Sequence, residues 1–319
     1  MKILITGSSG FLGRYLIHHL VEKKHEQKEI IGLFNSSNPD KLPFRDICTY
    51  LKVNLHDLER VLQIMEDIRP DIVIHLSGLL RGSLHDLLLT NVEGWANLLE
   101  ASRKTGGASQ IIYVSSSAIY GYAGDQPISE GQIPMPMSSY GISKLAGEHL
   151  AKQYFIRYHM QICIIRPFNL IGPGQSDEYI AGSLVKQAVQ VINNKQKELV
   201  IRNTKGKRDF IDVRDVVRGI SEIITSSDYS KRYSGETFNF GTEKEYSVMD
   251  IINMIERFRG KSIPVRVTNP EEEDIIPTQI SNCSKIHALS DWRSTFTFEQ
   301  SLADMMYYEI NHEKIRNEY

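Results

Sequence analysis

The chain reads as an α/β protein, a doubly wound parallel sheet with a smaller C-terminal lobe. Three observations carry that expectation. Short runs rich in Ile, Leu and Val alternate with longer stretches whose apolar residues recur at helical spacing. The short runs are continuously apolar, as in strands buried on both faces. Glycines cluster at the first junction between such a run and the amphipathic stretch after it.

Lys2–Thr6 reads as the first strand, and Phe11, Leu12, Tyr15, Leu16 and Leu20 repeat at helical spacing behind it. Glu29–Phe34 is a second strand. Val61, Leu62, Met65 and Ile68 mark a helix that stops before Pro70, because proline disfavours the helical conformation of its predecessor. A strand at 71–76, a helix at 91–102, a strand at 110–115, a long helix at 140–158 and a strand at 161–166 follow. Such alternation implies a parallel sheet with right-handed crossovers. Past Pro167 the regularity breaks. Helices are expected near 181–193, 213–225 and 248–258, and loops at 169–179, 203–208 and 269–282. The acidic run Glu271-Glu272-Glu273-Asp274 reads as a solvated loop.

The composition is that of a globular protein, with 41% hydrophobic and 24% charged residues among 319. Lys plus Arg is 37 and Asp plus Glu is 39, a formal charge of −2. No basic excess points to nucleic acid or to an anionic membrane. No apolar run approaches the ~20 residues of a membrane helix. The N-terminus lacks the features of a signal peptide. Cys48, Cys163 and Cys283 are too few and too scattered for a disulfide framework or a metal site. A cytoplasmic protein without a metal is expected.

Gly7, Gly10 and Gly13 form a G-x-x-G-x-x-G pattern between the first strand and the first helix. There Gly7 permits the tight turn, Gly10 a close approach to a pyrophosphate, and Gly13 close packing of helix on sheet. The pyrophosphate would meet free N–H groups at the helix N-terminus. The second strand ends Phe34-Asn35-Ser36-Ser37-Asn38, with no acid to hold the ribose hydroxyls of NAD. Nothing there repels a 2′-phosphate; Asn35, Ser36 and Ser37 can hydrogen-bond one, with Lys41 nearby in sequence. The cofactor is expected to be NADP or NAD, with NADP favoured.

Tyr140 and Lys144 stand four residues apart, on one face of a helix. A free phenol titrates at about 10. A nearby ammonium favours the phenolate and lowers that value, and Lys144 can also hold a nicotinamide ribose. Val114-Ser115-Ser116-Ser117-Ala118-Ile119-Tyr120-Gly121 places serines at the carboxyl end of a parallel strand, the edge where such sheets bind ligands.

In this order, the motifs resemble the extended short-chain dehydrogenase/reductases, the NAD-dependent epimerase/dehydratase group that acts on nucleotide sugars. The likeness spans essentially the whole chain. It includes Thr6-Gly7 through Gly13, His75-Leu76, Asn91-Val92-Glu93-Gly94, the serine strand, Tyr140 with Lys144, Arg166-Pro167-Phe168-Asn169 and Arg208-Asp209-Phe210. Within the group, stretches 166–175 and 208–217 most resemble the GDP-4-keto-6-deoxy-D-mannose reductases. The resemblance implies a Rossmann-type dinucleotide-binding domain, 1–167 with 211–241, and a nucleotide-sugar lobe, 168–210 with 242–319. It also implies NAD(P)H-dependent reduction of a 4-keto-6-deoxy nucleotide sugar, and a homodimer built on the helices near 91–102 and 140–158.

Roles follow from the same resemblance. Tyr140 would give a proton to the sugar C4 oxygen as hydride arrives, Lys144 would tune Tyr140 and bind ribose, and Ser116 would orient the oxygen. Ser116 lies four residues before Tyr120; anchoring on Ala118 favours Ser117 instead. Ser117, Asn169 and Arg208 would contact the nucleotide sugar, with Arg208 on the diphosphate. Ser9, Phe11 and Leu12 would join the glycines around the cofactor. Asn35, Ser36, Asn54 and Leu55 would line its far end. Leu76, Ser77, Gly78 and Pro167 would flank it, and Asn91 would lie behind the pocket. Three departures stand out, the first being that the Arg usual after the second strand is absent. Glu272-Glu273 occupies the place of an Arg–Pro pair in the reductases, where an acid would repel a diphosphate. Leu170 replaces their His.

Other reactions share the fold. A 4-epimerase needs the same Ser/Tyr/Lys set with tightly held NAD. A 4,6-dehydratase needs an acid just after the catalytic serine, where this chain has Ser117 and Ala118. A non-catalytic cofactor-binding module would tend to lose Tyr140 or Lys144. On the acid role, Tyr140→Phe should cut turnover by ~10²–10⁴; steady-state kinetics at wild-type level would remove Tyr140 from the chemistry.

Overall fold

The computed structural model describes residues 1–23, 28–35, 42–106, 108–272 and 274–317, with side chains described through residue 312. Ser36, expected at the cofactor, lies outside the described residues, as do Ser37, Lys41 and Glu273.

The chain opens with β1 (Lys2–Thr6), α1 (Phe11–Glu22), β2 (Glu29–Phe34), β3 (Thr49–Lys52), α2 (Leu58–Ile68) and β4 (Ile72–His75). Then come α3 (Leu84–Leu88), α4 (Gly94–Lys104), β5 (Gln110–Val114), α5 (Ser139–Tyr158) and β6 (Ile162–Pro167). The second half holds β7 (Asn169–Ile171), α6 (Ile180–Ile192), β8 (Leu199–Ile201), β9 (Lys207–Asp212), α7 (Val213–Ile224), α8 (Tyr229–Arg232) and β10 (Thr237–Phe240). It closes with β11 (Glu245–Ser247), α9 (Val248–Arg259), β12 (Val265–Val267), β13 (Thr278–Gln279), α10 (Ser284–Leu289) and α11 (Phe298–Asn317).

Seven parallel strands form the central sheet in the order β10-β6-β5-β4-β1-β2-β3. Successive side chains point to opposite faces of a strand. Thus Ile3 and Ile5 join Leu16, Ile17, Ile220 and Phe240 on one side, while Leu4 joins Val73, Trp95, Leu98 and Ile164 on the other. Both faces being covered explains the continuous apolar runs. A third core, with Leu184, Val185, Ile251, Ile255 and Leu302, packs α6, α9 and α11 together. No helix among the described residues is long and apolar enough to cross a membrane.

The segments expected as loops after Pro167 are partly strands. Asn169–Ile171 pairs in parallel with β9, and Thr278–Gln279 pairs with its other end. β9 itself begins at Lys207, inside a stretch expected to be irregular. Strands of two or three residues carry no readable period; pairing with β9 makes them.

One polar network crosses the core beneath the site. Arg166 on β6 donates from Nε and Nη2 to both oxygens of Glu148 on α5, at 2.9 and 2.6 Å. Its Nη1 donates to Tyr120 Oη at 2.7 Å, and that hydroxyl donates to Asn239 Oδ1 on β10 at 2.7 Å. Arg166 and Glu148 are 2% and 1% exposed. Removing one member strands the other charge, so Arg166→Ala should destabilise the fold by about 3–5 kcal/mol. Urea unfolding checks this, and a change within about 0.5 kcal/mol would contradict it.

Candidate active site

In the sheet order β4-β1-β2, the chain moves outward from β1 to β3 and then returns to the other side of β1. Ligands bind at such a reversal, beyond the carboxyl ends of the strands. Two adjoining cavities lie there, of about 660 and 350 Å³. Both are walled by Gly7, Gly10, Leu76 and Gly78, so the glycine turn sits between them.

The turn has the shape a dinucleotide needs. Gly7 sits at φ 66°, and a Cβ there would stand 2.8 Å from Ser77 N and 2.9 Å from Leu76 C. A Cβ on Gly13 would stand 2.8 Å from Ser8 Cα, so α1 could not close onto the turn. The first turn of α1 has no side-chain cap and no acid, leaving its N–H groups and the helix dipole open to an anion. A pyrophosphate fits this cradle.

The larger cavity is also lined by Phe11, Leu12, Gly13, Ser116, Ser117, Tyr140, Lys144, Pro167, Asn169 and Arg208. Ser9, Asn35, Asn54, Leu55 and Ser77 line the smaller one. Asn91 lines neither. Its Nδ2 donates to Leu79 O at 2.9 Å and to Ser143 Oγ at 2.8 Å, tying the segment after β4 to α5 from behind. No carboxylate lines the smaller cavity among the described residues.

β5 and α5 bring the serine, phenol and ammonium together. Ser116 caps a short 3₁₀ turn, Ser117–Ile119, accepting from Ala118 N at 3.1 Å, and with Tyr140 it lines the larger cavity. Lys144 is buried, and its Nζ donates to Val114 O at 2.7 Å. The Nζ stands 5.0 Å from the centre of the Tyr113 ring, an attractive cation–π placement. Tyr113 Oη in turn donates to Lys144 O at 3.3 Å.

The electrostatics correct one expectation. Lys144 does not lower the phenol. Burial pushes Tyr140 up to about 12, with Tyr179 adding to the rise and the Ser116 hydroxyl opposing it. Burial pushes Lys144 down to about 8, against the pull of the Glu148 carboxylate. The ammonium thus loses its proton before the phenol ionises, and no cation is left to favour the phenolate. At neutral pH the pair is phenol plus ammonium, the state of a proton donor.

The substrate end also differs from expectation. The acidic run is not merely solvated. Glu272 and Asp274 face the cavity, paired to Arg202 and Arg208 respectively. Asn169 Nδ2 donates to Asp209 O at 3.0 Å, and Ser117 Oγ donates to Gln279 Oε1 at 3.0 Å. Arg202, Gln279, Tyr179 and His56 also line the cavities. Sequence reasoning missed them because none belongs to a motif; only the charge reversal at Glu272 hinted at a partner.

A fold of this kind, with a glycine cradle and a Ser/Tyr/Lys cluster at its carboxyl edge, has known counterparts. The family described as GDP-mannose 4,6 dehydratase matches residues 4–305, and the chain belongs to it. The chain is therefore an enzyme of the NAD(P)-dependent nucleotide-sugar oxidoreductase and epimerase class. It is 27% identical to the GDP-6-deoxy-D-mannose reductase of Pseudomonas aeruginosa, over 94% of each chain. It is 28% identical to the GDP-6-deoxy-D-talose 4-dehydrogenase of Aggregatibacter actinomycetemcomitans, over 96% of this chain and 97% of that one. The structure of UDP-glucuronic acid 4-epimerase from Bacillus cereus, with UDP-glucuronic acid and NAD, superposes with a TM-score of 0.86. Its identity is 26%, over 98% of this chain and all of that one.

The shifted lysine gives a pH expectation. Catalysis that needs the Lys144 ammonium should fall as pH rises through about 8, while Tyr140 stays protonated to about 12. Lys144→Arg, whose cation does not titrate in this range, should abolish that limb. A wild-type kcat profile level from pH 7 to 9.5 would contradict the assignment.

Proposed function

We propose that this enzyme uses NADPH to reduce a 4-keto-6-deoxy nucleotide sugar to the 4-hydroxy sugar, with Tyr140 as proton donor. The observation that carries the choice is that, among the described residues, no carboxylate lines the smaller cavity around Asn35. A ribose-clamping acid favours NAD, and the strand end Phe34-Asn35-Ser36-Ser37-Asn38 carries none that would repel a 2′-phosphate. A cofactor consumed once per turnover fits net reduction. The relatives named GDP-6-deoxy-D-mannose reductase and GDP-6-deoxy-D-talose 4-dehydrogenase support the substrate class.

Gly7, Gly10 and the N-terminus of α1 would hold the pyrophosphate, and Lys144 and Tyr140 would border the nicotinamide. When bound, the reduced nicotinamide supplies a hydride. Ser116 donates a hydrogen bond to the sugar C4 oxygen and orients the carbonyl. Tyr140 transfers its proton to that oxygen as the carbonyl carbon becomes tetrahedral. The phenolate left behind is stabilised by the Ser116 hydroxyl, while the Lys144 ammonium holds the nicotinamide ribose. A high phenol pKa suits this direction, because the acid must arrive protonated. Dehydration is disfavoured: Ala118 has no proton to transfer, and Ser117 is bonded to Gln279.

The epimerase likeness keeps one second reading open, since Ser116, Tyr140 and Lys144 equally serve a 4-epimerase that retains NAD. Incubation with NADPH and GDP-4-keto-6-deoxymannose separates the two. The proposal expects stoichiometric loss of reduced-cofactor absorbance and a 4-hydroxy product. Interconversion of UDP-glucuronic acid and its C4 epimer, with no cofactor consumed and no reduction of the keto sugar, would replace it with the epimerase.

A further inference from the structure

The turn that carries Ser116 is held by a residue from outside the central sheet. Ser116 lies between the end of β5 and the 3₁₀ turn Ser117–Ile119, and its Oγ accepts from Ala118 N within that turn. Wherever the turn moves, the Ser116 hydroxyl moves with it. Gln279 on β13 is 4% exposed, yet it lines the larger cavity beside Ser116 and Ser117. Its amide spans the turn. Oε1 accepts from Ser117 Oγ at 3.0 Å, while Nε2 donates to Ser117 O at 3.1 Å and to Gly121 O at 3.3 Å. Both amide hydrogens are thereby used. Ser117 O also accepts from Tyr120 N at 3.0 Å, the bond that closes the turn.

Gln279 is itself well anchored. β13 pairs in parallel with β9, setting Gln279 opposite Arg208 on a strand that lines the same cavity. Past it, Ile128 N donates to Ile280 O at 2.9 Å, and Ser281 donates to the buried Asp209 carboxylate, from N at 3.1 Å and from Oγ. A single 3₁₀ turn has poor hydrogen-bond geometry of its own. Reaction geometry is unforgiving, since a displacement of about 1 Å can cost ~10²-fold in rate. We propose that Gln279 is a positioning residue for the reduction: its amide clamps both ends of the serine turn and so holds Ser116 in line with Tyr140. This rests on the reductase reading above. The clamp makes the alignment of Ser116 depend on the seating of β13 against β9, at the substrate end of the cleft.

Steady-state reduction of GDP-4-keto-6-deoxymannose by NADPH tests the clamp. Gln279→Leu keeps the bulk and loses the amide; it should lower kcat by about tenfold to a hundredfold. KM for the sugar nucleotide should stay within about threefold, because the lost contact bears on the reacting geometry rather than on binding. Gln279→Glu separates positioning from packing. Its carboxylate would face the carbonyls of Ser117 and Gly121, whereas its protonated form regains one donor. Burial and those carbonyls raise such a group above its ordinary ~4.3. The kcat of Gln279→Glu should therefore climb as pH falls through that titration, a limb absent from the wild type and from Gln279→Leu. Wild-type kcat in Gln279→Leu would overturn the inference, as would a Gln279→Glu profile that matches the wild type in shape. Should Gln279→Leu fail to fold, the Gln279→Glu profile decides alone. A wild type inactive on the keto sugar strikes the reductase reading instead; the same variants are then read in the interconversion of UDP-glucuronic acid and its C4 epimer, where Ser116 has the same duty. A wild type inactive in both reactions overturns the reading and the inference together.

Discussion

A buried ammonium organises this molecule's chemistry. Lys144 is 4% exposed, and moving a bare cation to such a depth costs several kcal/mol. The carbonyl of Val114, the face of Tyr113 and the carboxylate of Glu148 offset that cost. Glu148 is itself buried and held in a fork by Arg166. Charges therefore alternate from the cleft into the sheet, plus, minus, plus. Through Arg166 the chain of bonds reaches Tyr120, the residue that follows the Ser117–Ile119 turn. Ser116, Tyr140 and Lys144 are thus set by one connected body, and any loosening of α5 against β5 and β6 would disturb all three.

The two ends of the cleft treat charge differently. Near Asn35 the described residues of the wall carry no carboxylate, and an uncapped helix N-terminus lies between them and the reacting groups. At the far end, arginines are present but each meets a carboxylate. One end of the cleft is therefore an open anion cradle, and the other holds its arginines in ion pairs.

Most of the sheet was legible because its strands are long and buried on both faces. Lys2–Thr6 and Glu29–Phe34 were read to the residue, and the helix containing Tyr140 within one. The glycine turn and the Tyr140/Lys144 spacing were legible because their chemistry requires fixed residue types at fixed intervals. The C-terminal strands were not, because β7, β8, β12 and β13 have two or three residues each and exist only through pairing. The sense of the Tyr140 shift was misread for a related reason: spacing reveals a neighbour but not burial, and burial dominates both groups. Arg202 and Glu272 lie seventy positions apart in the chain, so no local pattern joins them.

The most direct trial of this account is isotopic. Reaction of the keto sugar nucleotide with NADPH carrying deuterium at nicotinamide C4, on each face in turn, should leave one deuterium on sugar C4 from one face only, as read by NMR of the product. Product bearing the label at another carbon, or none from either face, would contradict the placement of the carbonyl between Tyr140, Ser116 and the dinucleotide cleft.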